Sequence, residues 1–153
     1  MSNNVAFDFD GVIHRNVSKP DKTGQRHPSI LFNEIPPNKF DKIIDLIKFY
    51  KKHNFNLYII TARTSRDKYI IRHTLDNFGI KNTIIPNNNI ITTGDTGGCK
   101  NLYLEYYKIN YFYDDSINIF VKIKKAKQQH KLKKLKKCYL TNPDDNSIFE
   151  INI

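Results

Sequence analysis

The chain has 153 residues, enough for one domain with a single ordinary core. With 39% hydrophobic, 26% charged and 12% aromatic residues, the composition excludes a disordered polymer, and no apolar run approaches the ~18 residues of a membrane span. A net charge of +10 favours polyanionic or phosphorylated partners, or else reflects a solubilising coat of lysine.

Met1-Ser2-Asn3-Asn4 leads at once into an apolar run, without the basic start and long apolar stretch of a signal peptide. The two cysteines, Cys99 and Cys138, lie far apart and lack metal-ligand spacing. These features lead us to expect a soluble, cytoplasmic protein with no membrane partner and no disulfide framework.

Val5-Ala6-Phe7-Asp8-Phe9 reads as a first strand ending in acids. Residues 12–37 hold Gly24 and four prolines, and read as a long loop, flap or minimal cap. Lys39 to His53 carries apolar residues at helical spacing, and Leu57-Tyr58-Ile59-Ile60-Thr61 has the continuous apolar character of a central parallel strand. Ser65 is positioned to cap a helix that Gly79 stops. Either Ile84-Ile85 or Ile90-Ile91 forms the third strand. Lys100 to Lys108 reads as a helix, Tyr111-Phe112-Tyr113 as a strand, Ile117 onward as a helix and Cys138-Tyr139-Leu140 as a strand. The pattern from Asn142 is indistinct. Alternating strands and helices predict an α/β domain with a mostly parallel five-stranded sheet.

Two acidic clusters, Asp8-Phe9-Asp10-Gly11 and Asp114-Asp115, follow predicted strands. In an open α/β sheet, ligands bind beyond the carboxyl ends of the strands, so both clusters are expected on one edge. Converging carboxylates repel one another, and a hard cation with oxygen ligands relieves that repulsion, which points to Mg2+.

Asp8-Phe9-Asp10-Gly11-Val12 resembles the first motif of the haloacid dehalogenase-like (HAD) hydrolases. Ile59-Ile60-Thr61-Ala62-Arg63 resembles their second motif and Tyr113-Asp114-Asp115-Ser116 their acidic fourth. Lys100 best matches the lysine of the third, with Lys108 as the alternative. The resemblance spans roughly residues 4–116 and implies a three-layer, Rossmann-like fold covering the whole of residues 1–153, with a minimal cap.

It also implies a magnesium-dependent phosphatase acting through an aspartyl-phosphate on Asp8. Asp10 would be the acid and base, which favours phosphoryl transfer over dehalogenation. Gly11 would allow the tight turn, and Thr61, Ala62 and Lys100 would hold the phosphoryl group, with Arg63 a candidate substrate contact. Asp8, the Asp10 carbonyl, Asp114 and Asp115 would surround the metal. A minimal cap would leave the site open, which in this family goes with large substrates such as nucleic-acid ends or phosphoproteins, and it also admits a nucleotide or a small phosphate ester. An inactive nucleic-acid-binding module and an aspartyl-phosphate phosphotransferase are the alternatives.

Five further features stand outside these motifs. Asp21-Lys22-Thr23-Gly24 matches the phosphorylation motif of P-type pumps but lies in a loop rather than after a strand. Gly94 to Lys100 resembles a phosphate loop without the required ending. His14 and His27 flank the flap. The segment Lys122 to Lys137 holds nine lysines in 16 residues, read either as a solvated helix face or as a nucleic-acid contact. Tyr103, Tyr106, Tyr107, Tyr111 and Tyr113 are candidate base-stacking residues or core.

Overall fold

The computed structural model describes residues 3–14, 41–145 and 147–153. The flap, with His27 and the pump-like tetrapeptide, lies outside the described residues apart from 12–14. Among the described residues, six strands form one sheet in the order β3-β2-β1-β4-β5-β6. They are β1 (Asn4–Phe7), β2 (Asn56–Thr61), β3 (Ile90–Thr92), β4 (Tyr111–Asp114), β5 (Lys137–Thr141) and β6 (Ile148–Ile151). The first five are parallel and β6 pairs antiparallel with β5. The sheet therefore has one strand more than expected. Ile148–Ile151 is only partly covered at the sheet edge, and its Ile-Phe-Glu-Ile run is too short to stand out as a strand in the sequence.

Among the described residues, four α-helices accompany the strands: α1 (Lys42–Lys52), α2 (Lys68–Asn77), α3 (Lys100–Tyr106) and α4 (Ile117–Gln128). Asp41 caps α1 by accepting from the Ile43 and Ile44 N–H groups, so this helix starts three residues later than its apolar period suggests. Ser65 does not cap α2. It opens a short 3-10 turn, and its own N–H is taken by the Asp95 carboxylate at 2.9 Å. Gly79, at φ +78°, ends α2 as expected, with the Ile80 N–H returning to the Leu75 carbonyl. Between the two candidates for the third strand, Ile90-Ile91 pairs with β2, and Ile84-Ile85 lies in the connection before it.

Alternation along the strands divides the core into two layers. Val5, Phe7, Leu57 and Ile59 face α1 and α2, packing with Ile43, Ile47, Ile71 and Leu75. Ala6, Ile60, Phe112 and Cys138 face the other way, against Leu104, Phe120 and Ile123 of α3 and α4. The result is a three-layer α/β domain with a doubly wound strand order. No helix among the described residues is long and apolar enough to cross a membrane.

Phe7 is fully buried and stacks on Tyr113 of the neighbouring strand at 4.8 Å. Phe7→Ala is expected to cost about 3–5 kcal/mol by opening a cavity under the strands that carry both acidic clusters. Urea unfolding of the two proteins checks this.

Candidate active site

The strand order places the site. Chain connections run from β1 outward through β2 to β3, then return to the opposite side of β1 with β4. The gap between β1 and β4 is the topological switch point, where an open α/β sheet leaves a crevice at the carboxyl edge. Phe7 pairs with Tyr113, so the next residue on each strand, Asp8 and Asp114, arrives at that crevice together. The Asp8 N–H donates to the Tyr113 carbonyl at 2.9 Å and locks this register.

Asp8, Asp114 and Asp115 bring carboxylate oxygens within 4.8 Å of one another. Asp8 and Asp114 are buried and Asp115 is half-buried. Lys100, at the start of α3, reaches between the first two, with Nζ 2.9 Å from Asp8 Oδ1 and 2.8 Å from Asp114 Oδ2. That geometry selects Lys100 as the site lysine. Lys108 lies past the far end of α3 in a positive-φ position, its carbonyl accepting from Asn4.

Burial pushes the Asp8 carboxyl well above its ordinary range, and the Asp114 charge adds to the rise. Lys100 opposes the shift and Asp115 reinforces it. For Lys100, burial acts to lower the pKa, but Asp8 and Asp114 outweigh it and hold the ammonium above its usual value. Asp8 and Asp114 thus share the buried Lys100, with the Asp115 carboxylate close beside them. Three hard oxygen donors so placed fit a divalent cation such as magnesium. Asp8, Asp114 and Asp115 would hold it, and the Asp10 side chain is not one of the three.

The Asp10 carboxylate is instead clamped by Arg63. Arg63 Nε donates to Oδ2 at 2.8 Å and Nη2 to Oδ1 at 2.6 Å, the two-bond fork that suits guanidinium and carboxylate. The Arg63 guanidinium also lies 5.2 Å from the Phe9 ring centroid and 3.6 Å from Asp67. Arg63, expected either as a surface arginine or as a contact for substrate phosphate, is buried and engages Asp10. The nearest anion takes it.

Thr61 ends β2 beside this cluster. Its Oγ1 accepts the Arg63 N–H at 3.2 Å, which curls residues 61–63 into a turn with Ala62 exposed at its tip. Periodicity did not pick out the groups that hold this turn from below. The Thr93 N–H and hydroxyl both donate to the Thr61 carbonyl, at 2.8 and 3.0 Å. The Gly94 N–H donates to the Arg63 carbonyl, and a Cβ on Gly94 would lie 2.5 Å from the Ala62 carbonyl oxygen. Gly94 was therefore the available signal. The glycine-rich segment from Gly94 braces the second motif, with Asp95 binding Ser65.

His14 is buried and stacked on Phe9, and its carbonyl accepts the Gly11 N–H. It closes the tight turn after Asp10. Gly11 sits at φ +81°, and a Cβ there would fall 1.9 Å from Asp115 Oδ2. The Asp115 carboxylate packs where any side chain would stand.

Gly11→Ala and Gly79→Ala form a controlled pair, because both glycines have positive φ but nothing lies within 4 Å of a Cβ on Gly79. Gly79→Ala is expected to cost about 1–2 kcal/mol, the left-handed backbone penalty alone. Gly11→Ala should cost about 1–3 kcal/mol more through the collision with Asp115. Equal losses in urea melts would mean that Asp115 moves aside freely.

No protein-family model matches the chain. The uncharacterized protein L684 of Acanthamoeba polyphaga mimivirus is 40% identical over 149 residues, 96% of this chain but 29% of that protein. The chain thus spans less than a third of this curated relative. A hypothetical protein, PH1952 from Pyrococcus horikoshii OT3, is 18% identical in its crystal structure, with a TM-score of 0.38 over 93% of this chain and 49% of that one. That likeness is too low to bear on fold or function.

Proposed function

We propose that the chain is a HAD-type, magnesium-dependent phosphatase that hydrolyses phosphomonoesters through Asp8. The observation that carries the reading is the convergence of Asp8, Asp114 and Asp115 at the switch point, with Lys100 bound to two of them. The three motifs that resemble the HAD hydrolases meet in that one crevice.

Asp8 is the nucleophile. The Phe9 N–H at 2.8 Å and Lys100 at 2.9 Å both engage its Oδ1, which leaves Oδ2 to attack phosphorus. A phosphorus–oxygen bond forms to Asp8 as the bond to the leaving oxygen breaks, and Asp10 gives that oxygen a proton. Water then attacks the phosphorus of the aspartyl-phosphate and returns a proton to Asp10, releasing phosphate and restoring Asp8. Both oxygens of Asp10 accept from Arg63, so one arm of the fork must yield as the leaving group arrives. The Thr61 hydroxyl and the Ala62 N–H hold the phosphoryl oxygens, in a turn braced by Thr93 and Gly94. A magnesium ion on Asp8, Asp114 and Asp115, with the Asp10 carbonyl, would supply positive charge against the phosphate.

Phosphate release is the decisive assay, run over nucleotides, sugar phosphates, phosphopeptides and 3′- or 5′-phosphorylated oligonucleotides. Asp8→Asn should abolish turnover on any substrate the parent accepts; substantial residual activity removes Asp8 as nucleophile. Asp10→Asn should slow turnover by about 10²–10⁴-fold. A loss under about tenfold would assign the proton transfers elsewhere.

Metal binding has its own readout. Magnesium should raise the thermal midpoint of the parent, and Asp114→Ala should lose most of that rise. An unchanged melting curve on adding magnesium to the parent would count against the metal site.

A further inference from the structure

We propose that the groove between α3 and α4 is a docking surface for single-stranded nucleic acid. The docking claim stands by itself; that the strand presents a phosphorylated end to Asp8 rests on the phosphatase reading.

The two helices pack on one face of the sheet, and between them and the segment after α4 runs an open groove of about 720 Å³. Its apolar lining comes from Leu102, Ala126 and Leu132, with Tyr106 alongside. Leu102 and Tyr106 are 69% and 77% exposed, well beyond what core packing requires of a leucine and a tyrosine on one helix.

Exposed lysines Lys122, Lys125, Lys131 and Lys133 border this apolar surface. Glu105 is the one acid lining the groove among the described residues, and its Oε2 already accepts the Lys133 N–H at 3.0 Å. The lysine-rich segment is thus not one helix face. α4 ends at Gln128, His130 turns the chain at φ +58°, and buried Leu132 and Leu135 pin the remainder. Lys127 is spent on structure, its Nζ donating to the Leu132 and Leu135 carbonyls. Lys137 pairs with Glu150.

An apolar surface inside a ring of ammonium groups is complementary to a chain with flat apolar faces inside and anions outside. Single-stranded nucleic acid has that character, stacking bases on an aromatic ring while phosphates meet point charges. A duplex hides its bases and would use only the rim. An acidic peptide matches the charge, but carboxylate recognition favours arginine forks, and no arginine lines the groove among the described residues. Cys99 lies on the groove wall and directly precedes Lys100, the residue that holds Asp8 and Asp114.

Fluorescence anisotropy with a labelled 12-nucleotide oligothymidine, without magnesium and from 50 to 200 mM salt, tests this. Two charge-matched triples separate the groove from diffuse attraction. Lys122/Lys125/Lys133→Gln should weaken binding roughly tenfold or more at low salt and lower the salt slope by about 2. Lys124/Lys134/Lys136→Gln, outside the groove lining, should change both far less. Tyr106→Ala should lose roughly fivefold or more with the slope unchanged, and Tyr106→Trp should restore it. Circular dichroism checks that each variant is folded. Equal effects of the two triples, no effect of Tyr106→Ala, or a duplex or polyglutamate of equal length binding as tightly would each overturn the proposal. Release of phosphate from a small ester by the parent protein is measured separately. Its failure would remove the phosphatase reading and leave the docking result standing.

Discussion

A buried lysine between two buried aspartates holds the candidate site together. Asp8 and Asp114 come side by side because β1 and β4 are adjacent and in register, and sheet pairing leaves them no other place. Two carboxylates so close and so poorly hydrated would force the strands apart or take up protons. Lys100 offsets the repulsion by contacting both, which ties the start of α3 to the carboxyl ends of two strands. Removing one partner of such a cluster strands the others without water, so the three residues behave as a unit.

Asp115 adds a further negative charge in the same crevice, in the space that Gly11 leaves vacant. Asp10 projects its carboxylate away from that cluster into the Arg63 fork. The first-motif acids are thereby separated into two environments, one dominated by like charges and a lysine, the other by a guanidinium. In the proposed reaction these environments correspond to two tasks, attack at phosphorus and movement of protons.

Support for the site is spread over four connections. The turn after Asp10 closes through His14, the turn after Thr61 is braced by Thr93 and Gly94, the glycine-rich segment leads into Lys100, and Ser116 donates its N–H to Asp114. Each connection ends on a backbone hydrogen bond, so the acids sit on a frame with few loose joints. The lysine groove lies on the α3–α4 side of the same sheet.

Local chemistry alone determined much of this. Runs such as Val5-Ala6-Phe7 and Leu57 to Thr61 are apolar on both faces, which only a central strand buries, and both acidic clusters were legible because they end such runs. The helices followed from their period. Contacts between residues far apart in the chain decided the remainder. Ile90-Ile91 and Ile84-Ile85 have the same composition, and pairing with β2 separates them. Lys100 and Lys108 differ in role because one helix end faces the crevice and the other does not. Arg63 was a surface arginine or a substrate contact until Asp10 came within 2.6 Å of it. The edge strand β6 is marked in the sequence only by a short Ile-Phe-Glu-Ile run, and its hydrogen bonds to β5 define it. Burial patterns are written locally, whereas partners are chosen by whatever the fold brings within a few ångströms.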